Sequence, residues 1–213
     1  MKFGNVLIFG DSYSTFKGWV PKGNAVYYPP IIEGRPKITE VSDTWWHAFI
    51  NETDSALVLN ESWSGSTIGY TGYGGADTSK TSSFITRLRK MRSDGFFEKN
   101  KIDTVFVFGA TNDSWSDAPI GKNKYTGRSE SDLYFVLPAI CAFLEELKEV
   151  LPKAKTVFII NCGLKEEIIS GIKRACKHYS AKTVFLSEID KKADHPTVLG
   201  MTQIKNQILK KLT

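Results

Sequence analysis

Cysteine is scarce in this chain. Cys141, Cys162 and Cys176 stand far apart and form no C-x-x-C pair, so neither a zinc ribbon nor a redox pair is written here. Cys141 sits among apolar neighbours and Cys162 ends an apolar run; buried free thiols are expected, which suits a reducing compartment. Histidine is equally rare: His47, His178 and His195 are the whole set. No H-E-x-x-H or equivalent spacing joins them to other ligands, and no metal site is expected. Long hydrophobic runs are missing. Nothing at the N-terminus is long enough for a signal peptide and nothing later for a membrane span, so a cytoplasmic location without membrane association is expected. Repeats and low-complexity tracts are absent as well.

A basic face is also lacking. The net charge of +5 comes from 28 basic and 23 acidic residues scattered along the chain. The densest cluster, Arg87 to Arg92, reads as the polar side of a helix. Nucleic-acid binders gather their charge into a patch within a recognisable module, and this chain has neither.

What remains is an ordinary globular composition over 213 residues, 41% hydrophobic and 24% charged, enough for one large domain spanning residues 1–213. Val6-Leu7-Ile8-Phe9 is a short continuous apolar run that ends in Gly-Asp-Ser. The pattern recurs at 56–59, 104–108, 156–160 and 183–186. Strands apolar on both faces belong in a parallel sheet covered on each side by helices. Helical periodicity fills the intervals: Asp43 to Asn51 with Ser42 or Asp43 as N-cap, Ser79 to Met91, Ser131 to Val150, Lys165 to His178, and Pro196 to Leu212. About five β-α units predict a three-layer α/β/α sandwich, flavodoxin-like, with a parallel five-stranded sheet in the order 2-1-3-4-5.

Two connections exceed what a connector needs. Residues 13–42 carry Tyr13, Phe16, Trp19, Tyr27, Tyr28 and the Pro29-Pro30 pair, and residues 113–130 carry Trp115 and Tyr125. Loops of this length are usually functional, and both leave the carboxyl ends of strands, where open α/β sheets bind ligands. Four polar blocks stand at those same ends. They are Gly10-Asp11-Ser12, Asn60-Glu61-Ser62-Trp63-Ser64-Gly65, Gly109-Ala110-Thr111-Asn112-Asp113, and His195-Pro196 with Gly200. A hydroxyl, a glycine amide, a carboxamide and an imidazole on one sheet edge suit acyl transfer. A serine hydroxyl needs a base to take its proton, and an oxyanion needs preorganised donors. The backbone N–H of Ser12, the N–H of Gly65 and the side-chain amide of Asn112 can supply three.

These four blocks, in this order and across the whole chain, resemble those of the SGNH/GDSL hydrolases. The spacing Gly109-x-x-Asn112 has one residue more than the family pattern. The resemblance implies a flavodoxin-like sandwich and a serine hydrolase mechanism without metal or cofactor, acting on esters or thioesters. By carry-over Ser12 is the nucleophile, His195 the base, and Gly65 and Asn112 oxyanion donors. The family places an aspartate three residues before the histidine, and here that position is Lys192. Asp190 is the favoured replacement, with Asp194, Glu188 or a backbone carbonyl as alternatives. Trp63 and Trp115 flank the proposed oxyanion donors and are expected to touch substrate, since aromatic rings stack on sugar faces. The expected substrate is a small-molecule or saccharide ester with a short acyl group, for no broad aliphatic lid is visible.

Plainer readings exist for each residue. Asp11 or Ser12 can cap a turn, Asn112 can bond its own backbone, and His195 can sit at a helix start with Pro196 in the first turn. His47 and His178 read as structural or solvent-facing. Gly18 to Asn24 begins like a phosphate loop but has Asn24 where lysine must stand, and the glycines 69, 72, 74 and 75 lack G-x-G-x-x-G spacing. No G-x-S-x-G elbow exists. A non-catalytic carbohydrate- or ligand-binding module on the same fold, and a flavin or nucleotide binder, are the rival functions.

Overall fold

The computed structural model describes residues 3–29 and 32–213; Pro30 of the proline pair lies outside them. Five parallel strands form one sheet: β1 (Asn5–Gly10), β2 (Ala56–Ser62), β3 (Thr104–Phe108), β4 (Lys155–Ile160) and β5 (Lys182–Phe185). Their order is β2-β1-β3-β4-β5, as the sequence predicts. Because side chains alternate across a strand, the continuous apolar runs serve two cores at once. Leu7, Phe9, Val105, Val107, Phe158 and Ile160 face α2 (Phe84–Ser93), α5 (Val136–Val150) and α6 (Glu166–His178). Val6, Ile8, Phe106, Phe108, Val157 and Ile159 face α1 (Trp45–Glu52) and α7 (Val198–Leu212). That second core is aromatic: Phe106 takes Phe49 and Trp45 edge-on at centroid distances of 5.0 and 6.1 Å. Each such buried ring contributes roughly 1.5–3 kcal/mol.

Several boundaries differ from the periodicity. Thr44, not Ser42 or Asp43, caps α1 by accepting from the His47 N–H. The helix predicted over 131–150 is broken, with a 3-10 turn over Glu130–Tyr134, an extended Phe135, and α5 only from Val136. Pro138 is the reason: it has no N–H to continue a helix from residue 134, but sits harmlessly in a first turn. The orphan amides of Val136 and Leu137 donate instead to the carbonyls of Pro119 and Ile120, at 2.9 Å each. Arg87 is not on a polar face but 5% exposed, within the sheet's C-terminal edge. Cys141 and Cys176 are buried free thiols, whereas Cys162 is only half-buried. Two short helices escape the periodicity, α3 (Phe96–Lys99) and α4 (Thr111–Trp115). So does a hairpin of β6 (Lys191–Lys192) and β7 (His195–Pro196), whose two connecting residues, Ala193 and Asp194, both have positive φ. No helix among the described residues is long and apolar enough to cross a membrane.

Candidate active site

Strand β1 delivers Gly10-Asp11-Ser12 to the carboxyl edge of the sheet. A Cβ on Gly10 would lie 2.3 Å from the Ser62 hydroxyl and 2.6 Å from the Ser14 Cβ, so only glycine lets β1 and β2 close up here. Ser12 opens a 3-10 turn that Asp11 caps by accepting from the Tyr13 N–H at 3.0 Å. The plain capping reading of Asp11 and the placement of Ser12 are therefore one arrangement. Asn60 Nδ2 donates to the Ser14 carbonyl at 2.8 Å, and Trp45 Nε1 to the Ser14 hydroxyl at 3.1 Å, fixing the turn from both sides. Ser12 is 3% exposed.

Residue 195 arrives from the far end of the chain. Its Nε2 lies 2.9 Å from Ser12 Oγ, and its Nδ1 lies 3.0 Å from the carbonyl oxygen of Ala193. A carbonyl can only accept, so Nδ1 carries the proton and Nε2 of the neutral ring is left to accept from Ser12. Two tyrosines of the first long loop clamp the backbone around His195: the Tyr13 hydroxyl donates to the Asp194 carbonyl, and that of Tyr28 to the Pro196 carbonyl at 3.1 Å. Burial pushes the imidazole below its ordinary pKa, and the charges of Arg35 and Lys191 add to the effect; the Ala193 carbonyl and Asp194 act against it. Burial thus favours the neutral ring.

Gly65, at φ +80° and exposed, sits on the loop after β2, in the left-handed region that only glycine enters without strain. Asn112 lies in the first turn of α4 and is 3% exposed. Its Nδ2 donates to the Ser66 carbonyl at 2.9 Å, and its Oδ1 accepts from the Tyr73 hydroxyl at 2.8 Å, leaving the second N–H of the amide unengaged by these bonds. Ala110 turns the chain into α4 at φ +69°, a costly conformation for a non-glycine residue. That turn accommodates the extra residue between Gly109 and Asn112.

A model of the GDSL-like lipase/acylhydrolase family matches residues 4–212. The chain belongs to that family. Its members are hydrolases, and this hydrolase is similar over its full length to two solved structures. A GDSL-like lipase candidate from Bacteroides ovatus is 39% identical, with TM-score 0.90 and coverage of 100% of this chain and 99% of the other. Its counterpart from Bacteroides uniformis is 40% identical, with TM-score 0.90 and coverage of 98% and 95%. An acetyl xylan esterase from Butyrivibrio proteoclasticus, at 15% identity, shares the fold, with TM-score 0.59 over 100% of this chain and 64% of that one. No curated protein matches the sequence.

The expected orienting acid is not at the ring of this hydrolase's histidine. The Asp190 carboxylate accepts from the Thr197 hydroxyl, its carbonyl accepts from the Thr197 N–H at 3.1 Å, and its N–H donates to Gln203 Oε1 at 2.6 Å. Asp190 thus fastens the start of α7, while Thr197 caps that helix through the Gly200 N–H. The physical cause is the hairpin. Lys192 pairs with His195 across it, and the intervening turn directs the Ala193 carbonyl at Nδ1, the position a carboxylate from 190 would have to take.

The two candidate substrate tryptophans have different surroundings. Trp115 lies edge-on to Tyr13 and His195, at 6.4 and 6.1 Å. Trp63 lines a cleft of about 610 Å³ along the outer edge of β2, with Lys22, Lys80, Met91 and Phe96.

Sequence reasoning passed over Arg87. Its guanidinium donates to the carbonyls of Gly10 (3.4 Å), Glu61 and Ser82 (3.0 Å) and to the Ser66 hydroxyl (3.2 Å), and pairs with the Glu61 carboxylate at 3.5 Å. One buried cation therefore gathers the end of β1 before Ser12 and the glycine-block loop. Asp113 does similar work by accepting from the N–H groups of Ile68 and Gly69. Burial raises Asp11 to about 7 and Asp113 to about 6. Tyr73 carries no signal either, standing among the glycines 72, 74 and 75 that match no phosphate-binding spacing.

Proposed function

We propose that this protein is a serine esterase that hydrolyses carboxylic esters with short acyl groups, acetyl esters of saccharides among them, through an acyl-enzyme on Ser12. The 2.9 Å contact between Ser12 Oγ and His195 Nε2, in a ring whose tautomer the Ala193 carbonyl fixes, carries the reading. In the reaction, Nε2 takes the Ser12 proton as Oγ attacks the ester carbonyl. The oxyanion that forms is met by the N–H groups of Ser12 and Gly65 and the free N–H of Asn112. The imidazolium then gives its proton to the departing alcohol. Water, activated by the same nitrogen, cleaves the acyl-enzyme and restores Ser12.

Aromatic rings crowd the imidazole, with Tyr27, Tyr13 and Trp115 all within 6.1 Å of it centroid to centroid, which favours a small acyl group. The fold shared with an acetyl xylan esterase is in keeping with a saccharide ester. The test is hydrolysis of p-nitrophenyl acetate, butyrate and octanoate by wild type, Ser12→Ala and His195→Ala. Turnover that falls with acyl length, and drops by roughly 10⁴–10⁶ in both variants, is expected. Variants as active as wild type, or no ester cleaved at all, would overturn the assignment.

A further inference from the structure

A serine hydrolase histidine has to be held in plane as well as in tautomer. One hydrogen bond at Nδ1 fixes a direction but leaves the ring free to rock about it. In the usual triad a carboxylate, itself braced, limits that motion and stabilises the imidazolium that forms. Here the acceptor is a single carbonyl on a turn whose two residues both have positive φ. Something else must fix the ring.

The neighbour that does so is Tyr27. Its ring lies parallel to the imidazole, with centroids 3.7 Å apart and planes 4° from coincidence. Tyr13 and Trp115 approach the same ring only at angles, 52° and 66°, and farther away, at 5.4 and 6.1 Å. Tyr27 is itself anchored. Its backbone N–H donates to the Thr15 hydroxyl at 2.9 Å, and Thr15 in turn donates to the Ser12 carbonyl at 3.1 Å, so the stacking residue is tied to the nucleophile's own turn. Its ring meets Tyr28 edge-on at 4.8 Å. The Arg35 guanidinium lies 4.9 Å from the centroid of the Tyr27 ring. A face already covered by an imidazole at 3.7 Å has no room for it, so Tyr27 is sandwiched between the two.

We infer that Tyr27 is a positioning residue for His195, supplying through its ring face the orientation that a triad carboxylate supplies elsewhere, with Arg35 pinning it from outside. This rests on the esterase reading above. The parallel contact restricts rotation of the imidazole out of the line to Ser12 Oγ. When the ring takes the serine proton, the electron-rich face of Tyr27 lies against the new cation. The charged groups around His195 set the balance: Arg35 and Lys191 disfavour the imidazolium, and Asp194 favours it. Tyr27 is thus a spacer that admits the cation–π contact and keeps the guanidinium one ring away.

The experiment compares Tyr27→Phe, Tyr27→Leu and Arg35→Gln with wild type, after circular dichroism has shown each to be folded. Tyr27→Phe keeps the flat ring and should retain wild-type kcat. Tyr27→Leu keeps apolar bulk without the plane and should lose about a hundredfold in kcat with little change in KM, the scale of a 1 Å misplacement. Leucine leaves part of the imidazole face open to water, and burial is the largest influence on this ring. The gain in hydration therefore outweighs the lost cation–π contact, and the acid limb of the variant's pH profile should move up towards the ordinary histidine value. Arg35→Gln should move the same limb upward with a smaller loss in kcat. In parallel, ¹⁵N-edited spectra should show a sharp, slowly exchanging His195 Nδ1–H in wild type and Tyr27→Phe, and a broadened, faster-exchanging one in Tyr27→Leu, where the ring rocks off the Ala193 carbonyl. Wild-type kcat and an unchanged Nδ1–H signal in Tyr27→Leu would overturn the inference. Should wild type cleave no ester, the esterase reading fails on its own, and the ¹⁵N comparison still decides whether Tyr27 holds the ring.

Discussion

Around Ser12 the polypeptide is held by buried charge, whereas around His195 it is held by aromatic faces and tyrosine hydroxyls. On the first side Arg87, Glu61, Asp11 and Asp113 are all nearly or fully inaccessible, and their hydrogen bonds run mostly to backbone groups of the Ser12 turn and the glycine-block loop. On the second side Asp190 and Asp194 are exposed, and the hairpin is fixed by Tyr13, Tyr28 and the ring of Tyr27. The difference follows from where each block sits. The Ser12 turn leaves β1 between two neighbouring strands of the sheet, where water cannot satisfy carbonyls and a buried cation can satisfy several at once. The histidine hairpin lies beyond the last strand, where its own carboxylates, Asp190 and Asp194, are exposed and tyrosine hydroxyls and rings supply the contacts.

Breaking the charged side should have the largest effect. Arg87→Ala would leave Glu61 unpaired and several carbonyls without a donor, and should lower unfolding stability by about 3–5 kcal/mol, as measured by urea denaturation. A variant as stable as wild type would mean that water replaces the guanidinium and that the contrast between the two sides is not one of burial.

A second measurement sharpens the comparison through pH. Asp11 and Asp113 keep protons in the folded protein, up to about 7 and 6, that the unfolded chain releases near 3.8. Between those limits the folded state binds more protons, so stability should fall as pH rises from about 4 to about 7. His195, whose folded pKa lies below the ordinary 6.5, works in the opposite sense over a narrower range. Melting temperature recorded across that window should therefore decline, and Asp11→Asn should flatten the upper part of the decline. A flat or rising curve for wild type would show that these acids are ionised in the folded protein.

The smallest effect belongs to Asp190→Asn. Its carboxylate serves the start of α7 and not the imidazole, so the rate on p-nitrophenyl acetate should change by less than about threefold. A loss approaching 10⁴, as for removal of a triad acid, would mean that Asp190 reaches His195 during turnover.

Much of this site was legible in the sequence because it is local. Gly10-Asp11-Ser12, Gly65 and Asn112 each follow a strand whose apolar run announces it, and strands of a parallel sheet end on one edge whatever their order in the chain. His195 announced itself through its block, but not its partner. The orienting acid was sought at Asp190 because sequence distance allowed it, and the turn at Ala193 and Asp194 placed a carbonyl there instead. Arg87 was read as solvated because charge in a helix ordinarily is. Only its position facing the carboxyl ends of β1 and β2 brought it inside.

The sequence by itself determined the layers, the strand order and the edge on which the polar blocks meet. Those follow from hydrophobic period and from the handed, unknotted connections of β-α units. Tertiary structure alone decided which groups hold those blocks in register: a guanidinium from α2, a carbonyl from a two-residue turn, and a tyrosine ring from a loop that starts beside the nucleophile. These contacts span from 2 residues of chain, Ala193 to His195, to 168, Tyr27 to His195. Their geometry depends on backbone conformations that no periodicity encodes.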